Sequence, residues 1–272
     1  MHNPTTTGTA SPVPTPRDLE KAIAHADLPH NEKLQLIRNK QAFIIDMDGV
    51  IYHGSKLLDG TVKFIEWLKA NNKKFLFLTN NSAPTPRELQ QKLHRLGIDV
   101  DESHFYTSAI CTAKFLCSQR PRGTVFCLGA PGLHYACFTM SEVAADYVVV
   151  GEGGNMSYEN IAKAVKLVNK GPSDWHQSGR ERARRRRARA RLWRICLDHR
   201  TGYWQEGLFL GKPNPIMLRG ALRLLGVHRE NAVMVGDRMD TDVLVVLNGV
   251  GDIPGPVDGA EGEESRRLTD LP

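Results

Sequence analysis

The 272-residue sequence lacks both paired cysteines and long apolar runs. Its five cysteines form an odd set without a CxxC pair, which argues against a disulfide framework and against a zinc site. No apolar run approaches the roughly 18 residues of a membrane span, and the Pro- and Thr-rich start lacks the apolar block of a signal peptide. These absences predict reduced thiols, no membrane partner and a cytoplasmic protein.

Positive charge is concentrated in one segment of the chain. The net charge is +6, yet residues 180–194 alone hold nine arginines against one glutamate, so the rest of the chain is slightly acidic. Such a run is typical of a nuclear localisation signal or of an RNA-binding arm, because arginines gain affinity from contacts with phosphates.

Apolar periodicity in the first half of the chain predicts a parallel α/β sheet. Residues 1–37 are expected to comprise a leader rich in Pro, Thr and Gly, which we predict to be disordered, and an N-terminal helix. Two buried strands separated by an amphipathic helix imply a right-handed crossover between parallel strands. The predicted elements are a strand over 41–45 that ends on Asp46, a helix over 61–70, a strand over 74–79, and a helix over 86–96 that ends at Gly97.

A second group of elements is assigned to an inserted domain. It comprises strands over 124–128 and 146–150 and a helix over 158–169. The chain is then expected to return to the first sheet at residues 208–210, before a helix over 215–225 and a strand over 232–235.

Polar side chains follow the predicted strands at the point where each strand ends. In an open α/β sheet ligands bind beyond the carboxyl ends of the strands, so these side chains are the candidate site. Acidic residues crowded at one end of a sheet repel each other unless a cation lies among them, and oxygen ligands suit Mg²⁺. The candidates are Asp46, Asp48, Thr79, Asn80, Asn81, Asp237 and Asp242.

With a metal present, these residue types fit phosphoryl transfer. Asp46 can attack phosphorus and form an aspartyl phosphate. Asp48 can protonate the leaving oxygen and then activate water. The Thr79 hydroxyl and the amides that follow it can hold phosphoryl oxygens, while Lys212 supplies a positive charge against charge that develops in the transition state.

Four segments resemble, in order, the four motifs of the haloacid dehalogenase (HAD) superfamily. Their wording is similar to that of the p-nitrophenyl phosphatase or NagD-like branch, which carries a C2-type cap between the second and third motifs. The resemblance covers about residues 38–170 and 208–243. The segments are Asp46-Met-Asp-Gly-Val-Ile-Tyr, Leu78-Thr-Asn-Asn-Ser82, Gly211-Lys-Pro-Asn-Pro215 and Gly236-Asp-Arg-Met-Asp-Thr-Asp242.

The resemblance implies a Rossmann-like α/β core with a parallel sheet, built from residues 38–112 and 208–272, and an inserted α/β C2-type cap at 113–207. It implies that Mg²⁺ is held by the Asp46 carboxylate, the Asp48 backbone carbonyl and the Asp237 carboxylate, with Asp242 supporting the site. The expected function is hydrolysis of a small phosphorylated metabolite, with p-nitrophenyl phosphate as an artificial substrate. Pairing through the cap into a homo-oligomer stays open.

The resemblance breaks at residues 171–207 and 244–272. Back-translation with a shift of one base permits the family's Ile-Gly-Thr-Asn strand at 174–180, and its final strand Gly-Leu-Glu-Thr-Phe-Leu-Val-Leu at 249–256. Our hypothesis is that both stretches are translated out of frame. GC-rich codons read out of frame then explain the arginine run, and we expect no specific nucleic-acid partner. The alternative is a catalytically impaired or dead HAD-derived product with a basic, polyanion-binding segment.

The reading-frame hypothesis predicts the result of resequencing the transcript. We expect a shift of one base before residue 171, its reversal near residue 208, and a second shift near residue 244. Clean reads in the stated frame across all three positions would contradict the hypothesis and favour the polyanion-binding alternative.

Overall fold

Two four-stranded parallel sheets form the framework of the protein. The computed structural model describes residues 29–136, 139–143, 145–153, 156–170, 194–196 and 207–248. The elements of the first part are α1 (His30–Arg38), β1 (Ala42–Ile45), β2 (Tyr52–His53), β3 (Lys56–Leu57), α2 (Thr61–Ala70), β4 (Lys74–Thr79), α3 (Pro86–Arg95), β5 (Phe105–Thr107) and α4 (Ser108–Gln119). Those of the second part are β6 (Val125–Leu128), α5 (Pro131–Ala136), β7 (Tyr147–Val150), α6 (Tyr158–Lys170), β8 (Arg194–Cys196), β9 (Gly207–Phe209), α7 (Pro215–Leu225), β10 (Ala232–Val235) and α8 (Leu244–Asn248).

The first sheet has the strand order β10-β1-β4-β5, so β1 lies in its interior. All four residues of β1 are buried, and they alternate between two apolar clusters. Ala42 and Ile44 face one cluster, while Phe43 and Ile45 face the other. Burial on both faces is what a continuous apolar strand in a parallel sheet requires. The predicted α/β class with a parallel sheet is therefore confirmed.

The predicted elements of the first sheet are found with small changes at their ends. α2, β4, α7 and β10 have the predicted bounds, and β1 and α3 agree to within one residue. α3 begins where predicted because Thr85 at its N-cap and Glu88 in its first turn form a reciprocal capping box, with Pro86 at the first helical position. Gly97 follows its end with a φ of 89°, a conformation that favours glycine. Local sequence signals are sufficient for these elements.

The second sheet has the order β6-β7-β8-β9, and it corrects one prediction. The expected return of the chain to the first sheet at residues 208–210 is wrong, because Leu208 pairs with Ile195 of β8 in the second sheet. An apolar run of three residues carries no information about which of two parallel sheets it joins. The sequence also does not predict β5, α4 and α5.

The two sheets share one buried apolar cluster. It contains Ala42 and Ile44 of β1, Val125 and Cys127 of β6, and Val149 of β7, together with residues of α4 and α7. The other face of the second sheet packs against α6. The predicted division at 112/113 falls inside α4, and that at 207/208 falls inside β9, so the domain limits stay a prediction.

Several predictions fall on residues outside the described part. These are residues 1–28 of the leader, 171–193 and 197–206 of the arginine-rich stretch, and 249–272 at the end. Within the stretches predicted to be out of frame, residues 194–196 form β8 and residues 244–248 form α8. No helix in the described ranges is long and apolar enough to cross a membrane.

The packing of α7 on β5 gives a stability prediction at Gly220. A Cβ at this position would collide with the hydroxyl of the buried Tyr106. Replacing a mid-helix glycine by alanine ordinarily adds up to about 1 kcal/mol of stability, whereas overpacking a core costs about 1–3 kcal/mol. We expect Gly220→Ala to lower the free energy of unfolding, measured by chemical denaturation. Adding Tyr106→Phe, which removes the obstructing oxygen, should recover part of the loss, and a single variant as stable as the wild type would contradict this packing.

Candidate active site

Charged side chains from both sheets meet at the carboxyl ends of their strands. Asp46 directly follows β1, and Asp237 lies two residues after β10. Lys212 lies three residues after β9, so it is delivered by the second sheet. Asp242 belongs to a π-helical segment over Met239–Val243 that follows β10. The crossovers thus bring together residues that are up to 196 positions apart in the sequence.

Lys212 lies between two carboxylates. Its Nζ is 2.7 Å from Asp46 Oδ1 and 2.6 Å from Asp242 Oδ1. The side chains of Lys212 and Asp242 are each 2% exposed, so this ion pair is shielded from water. Shielding strengthens the attraction but makes each charge costly to leave unpaired. The ammonium group is therefore held firmly beside Asp46.

Three carboxylates could hold a metal ion. Oxygens of Asp46, Asp237 and Asp242 lie within 4.8 Å of one another. Hard oxygen donors of this kind suit Mg²⁺, Mn²⁺ or Ca²⁺. Asp237 is exposed, so the group is open to solvent on one side. Asp48 is not part of this carboxylate group, and its side chain is exposed; its predicted ligand atom is the backbone carbonyl.

Burial raises the pKa of Asp46 to about 6. Desolvation is the main cause, the nearby Lys212 ammonium opposes it, and the Asp242 carboxylate adds to it. The single ammonium therefore does not offset the desolvation of Asp46 and the repulsion from Asp242. A cation bound among the carboxylates would restore the balance, so the chemistry of the donor set fits a divalent metal.

The loop after β4 lies beside Asp46, because Phe77 pairs with Ile45 in adjacent strands. Thr79 is buried, and its Oγ1 accepts a hydrogen bond of 3.1 Å from the Asn81 backbone N–H. The Asn81 side chain accepts from the backbone N–H of Ala83 at 2.9 Å. Asn81 thus shapes this loop through both its backbone and its side chain.

The side chain of Asn80 has a contact that the sequence does not suggest. Its Nδ2 donates to the backbone carbonyl of Lys212 at 2.9 Å, and its Oδ1 accepts from the Lys212 N–H at 2.6 Å. These two residues are 132 positions apart, and no local pattern links them. Whether Asn80 also contacts phosphate stays a prediction.

Two glycines allow carboxylates to approach the backbone. Gly49 has a φ of 86°, and a Cβ there would overlap the Asp237 carboxylate. A Cβ at Gly236 would likewise overlap Asp242. The glycine that follows Asp48 is therefore needed for space as well as for its backbone conformation.

Comparisons with known proteins show which family the chain resembles. The family described as haloacid dehalogenase-like hydrolase matches residues 43–139, and one described as HAD-hydrolase-like matches residues 209–248. A dihydroxyacetone phosphatase of Corynebacterium glutamicum is 36% identical over 210 residues, which cover 74% of this chain and 75% of that protein. An acid sugar phosphatase of Staphylococcus saprophyticus is 33% identical, over 78% of this chain and 84% of that protein.

Solved structures show the same likeness. A 4-nitrophenylphosphatase of Thermotoga maritima has a TM-score of 0.66 and 29% identity, covering 79% of this chain and 84% of that one. NagD of E. coli K-12 has a TM-score of 0.64 and 26% identity, covering 78% and 85%. The chain belongs to the haloacid dehalogenase-like hydrolase family. Within that family it falls in the branch of NagD and the p-nitrophenyl phosphatases, as its motifs predicted, and its named relatives are phosphatases.

The contact between Gly49 and Asp237 predicts the effect of a single methyl group. We expect Gly49→Ala to displace the Asp237 carboxylate and to weaken Mg²⁺ binding, measured by isothermal titration calorimetry. Gly60→Ala is the matched control, because Gly60 also has a φ of 86° but has open space around its Cβ position. Both variants carry the same backbone strain, so equal Mg²⁺ affinities would contradict the proposed role of the close approach.

Proposed function

We propose that the protein is a Mg²⁺-dependent phosphomonoesterase that acts on a small phosphorylated metabolite through a covalent intermediate on Asp46. The observation that carries the proposal is the position of the Asp46 carboxylate. It lies at the carboxyl end of β1, 2.7 Å from the buried Lys212 ammonium and within the carboxylate group of Asp237 and Asp242. A nucleophile, a positive charge and a candidate metal site thus converge on one point.

Asp46 is suited to the role of nucleophile. Its Oδ1 accepts hydrogen bonds from Lys212 Nζ and from the backbone N–H of Met47, the latter at 2.8 Å. These contacts fix the orientation of the carboxylate before the substrate arrives. An Asp46 oxygen attacks phosphorus, the bond from phosphorus to the leaving oxygen breaks, and an aspartyl phosphate forms.

Asp48 is suited to proton transfer. Its side chain is exposed, while its backbone bridges to Tyr52, whose side chain is buried. Protonated Asp48 gives its proton to the leaving oxygen in the first step. It then takes a proton from the water that attacks phosphorus, the bond between Asp46 and phosphorus breaks, and inorganic phosphate is released.

Lys212 and the loop after β4 would hold the phosphoryl group. The Lys212 ammonium faces the position where negative charge grows during transfer, and its fixed position avoids reorganisation at that moment. Thr79 is at the same end of the sheet as Asp46 and supplies a hydroxyl. The backbone N–H groups of Asn80 and Asn81 follow it. These three residues are the proposed phosphate-binding loop.

The metal site would be formed by the Asp46 and Asp237 carboxylates and the Asp48 backbone carbonyl, with Asp242 supporting it. Bound Mg²⁺ would offset the negative charge of the carboxylates and of the phosphate ester, which otherwise repel each other. Asp242 keeps its contact with Lys212 on the buried side, and Asp237 faces solvent.

The proposed substrate class rests on the relatives. Two of them are named dihydroxyacetone phosphatase and acid sugar phosphatase. We therefore propose small phosphorylated carbohydrates as the first substrates to test, with nucleotides, phosphoglycolate and pyridoxal phosphate as further candidates. p-Nitrophenyl phosphate serves as the general test substrate.

Replacing the nucleophile tests the mechanism directly. We expect Asp46→Asn to lower kcat for p-nitrophenyl phosphate, with Mg²⁺ present, by at least about 1000-fold, because the amide keeps the shape but cannot attack phosphorus. Asp59→Asn is the matched control, since Asp59 is exposed and lies outside the carboxylate group. Substantial residual activity in Asp46→Asn would overturn the assignment of the nucleophile. Absence of turnover in the wild-type protein would favour the catalytically impaired alternative.

A further inference from the structure

The side chain of Asn80 binds both polar backbone atoms of Lys212. Nδ2 donates to the Lys212 carbonyl at 2.9 Å, and Oδ1 accepts from the Lys212 N–H at 2.6 Å. A planar amide bonded at both ends leaves the peptide little freedom to rotate or slide. The neighbouring Gly211 permits this approach, because a Cβ there would lie only 2.8 Å from Asn80 Oδ1.

This contact spans the two sheets. Asp46 is placed by β1 of the first sheet, whereas Lys212 follows β9 of the second. The distance between the Lys212 ammonium and Asp46 therefore depends on how the loop after β9 is fixed to the first sheet. Asn80 follows β4, which is the neighbour of β1, so its side chain provides that fixation.

The backbone of Asn80 is fixed by a hydrogen bond from Ser108. The Ser108 Oγ donates to the Asn80 backbone carbonyl at 2.6 Å, and Ser108 is fully buried at the first position of α4. Thr112, one turn further along α4, donates to the Ser108 carbonyl at 2.8 Å. A continuous chain of hydrogen bonds thus runs from α4 through Asn80 to the backbone of Lys212.

We propose that Asn80 is a positioning residue that holds the Lys212 ammonium against Asp46, and that Ser108 fixes Asn80 in turn. The side chain of Asn80 acts through Lys212 and not on the phosphoryl group. This inference rests on the proposed phosphatase function for its kinetic test. Partners one step removed from the reacting groups change activity by about 10- to 100-fold when they are lost, and a displacement of about 1 Å can produce a loss of this size.

A double-mutant cycle with Lys212 tests the inference. kcat and KM are measured for p-nitrophenyl phosphate with Mg²⁺ in the wild type, Asn80→Ala, Lys212→Ala and the double variant. We expect Asn80→Ala to lower kcat by about 10- to 100-fold with little change in KM, because the charge of Lys212 matters most in the transition state. In the Lys212→Ala background the same change should have almost no effect on kcat.

A second variant at Asn80 and a control at Asn71 complete the experiment. Asn80→Asp keeps the acceptor for the Lys212 N–H but places a carboxylate oxygen against the Lys212 carbonyl, so its kcat should also fall below that of the wild type with little change in KM. Asn71→Ala is the matched control, since Asn71 is exposed and also donates to a backbone carbonyl, that of Trp67, far from the site; its kcat should be unchanged. Thermal melting confirms that each variant is folded, and Asn80→Asp carries the test if Asn80→Ala is not.

Different results separate this inference from the proposed function. If Asn80→Ala raises KM, and its effect multiplies with that of Lys212→Ala, Asn80 contacts the substrate directly and the inference is wrong. If the wild-type protein has no phosphatase activity, the proposed function fails, and a crystal structure of Asn80→Ala then decides the inference. A displaced Lys212 ammonium would support it, and an unchanged distance from Nζ to Asp46 would overturn it.

Discussion

The buried ammonium of Lys212 is the group around which the site is organised, since it touches both Asp46 and Asp242. Removing a charge from water costs several kcal/mol, and the cost is recovered only when well-placed partners remain. Two contacts position Asp242 as a partner for Lys212. The Arg238 backbone N–H donates to Asp242 Oδ2 at 3.2 Å, and Gly236 lacks the Cβ that would overlap the Asp242 side chain. Both contacts therefore stabilise the ion pair between Asp242 and Lys212.

The ion pair also links the two sheets, which share an apolar cluster but carry different parts of the site. The segments that follow β6 and β7 of the second sheet contact the loop after β4 at two further points. The Gly132 N–H donates to the Ala83 carbonyl at 2.8 Å, and the Glu152 N–H donates to the buried Ser82 hydroxyl at 3.0 Å. The loop after β4 is therefore held by the segments that follow β6 and β7 and by the backbone of Lys212. If this loop binds phosphate as we propose, substrate binding should depend on the packing of both sheets.

The parts of this arrangement that the sequence can predict are those with a local signal. β4 is a continuous apolar run and α2 is amphipathic, and Asp46 and Asp237 follow apolar strands, so residue order alone identifies them. The sheet that β9 joins is predicted wrongly, because a short apolar run fits either sheet. The contact between Asn80 and Lys212 cannot be predicted for a different reason. Asn80 binds backbone atoms of Lys212, and every residue type has the same N–H and carbonyl, apart from proline, which lacks the N–H. What a motif contains is therefore easier to predict than what holds it in place.

The site has a closed half and an open half, and this division follows from burial. Asp242 and Lys212 lie in the closed half, where the low dielectric strengthens the attraction between them. Asp48 and Asp237 are exposed and lie in the open half, which a cation or a substrate can reach from solvent. Asp46 belongs to both halves: it is 7% exposed, bonded to Lys212 on one side and grouped with Asp237 on the other. A group that must be held rigidly and yet meet a diffusing substrate has to lie at such a boundary, and Asp46 is the acidic side chain among the described residues that the site places there.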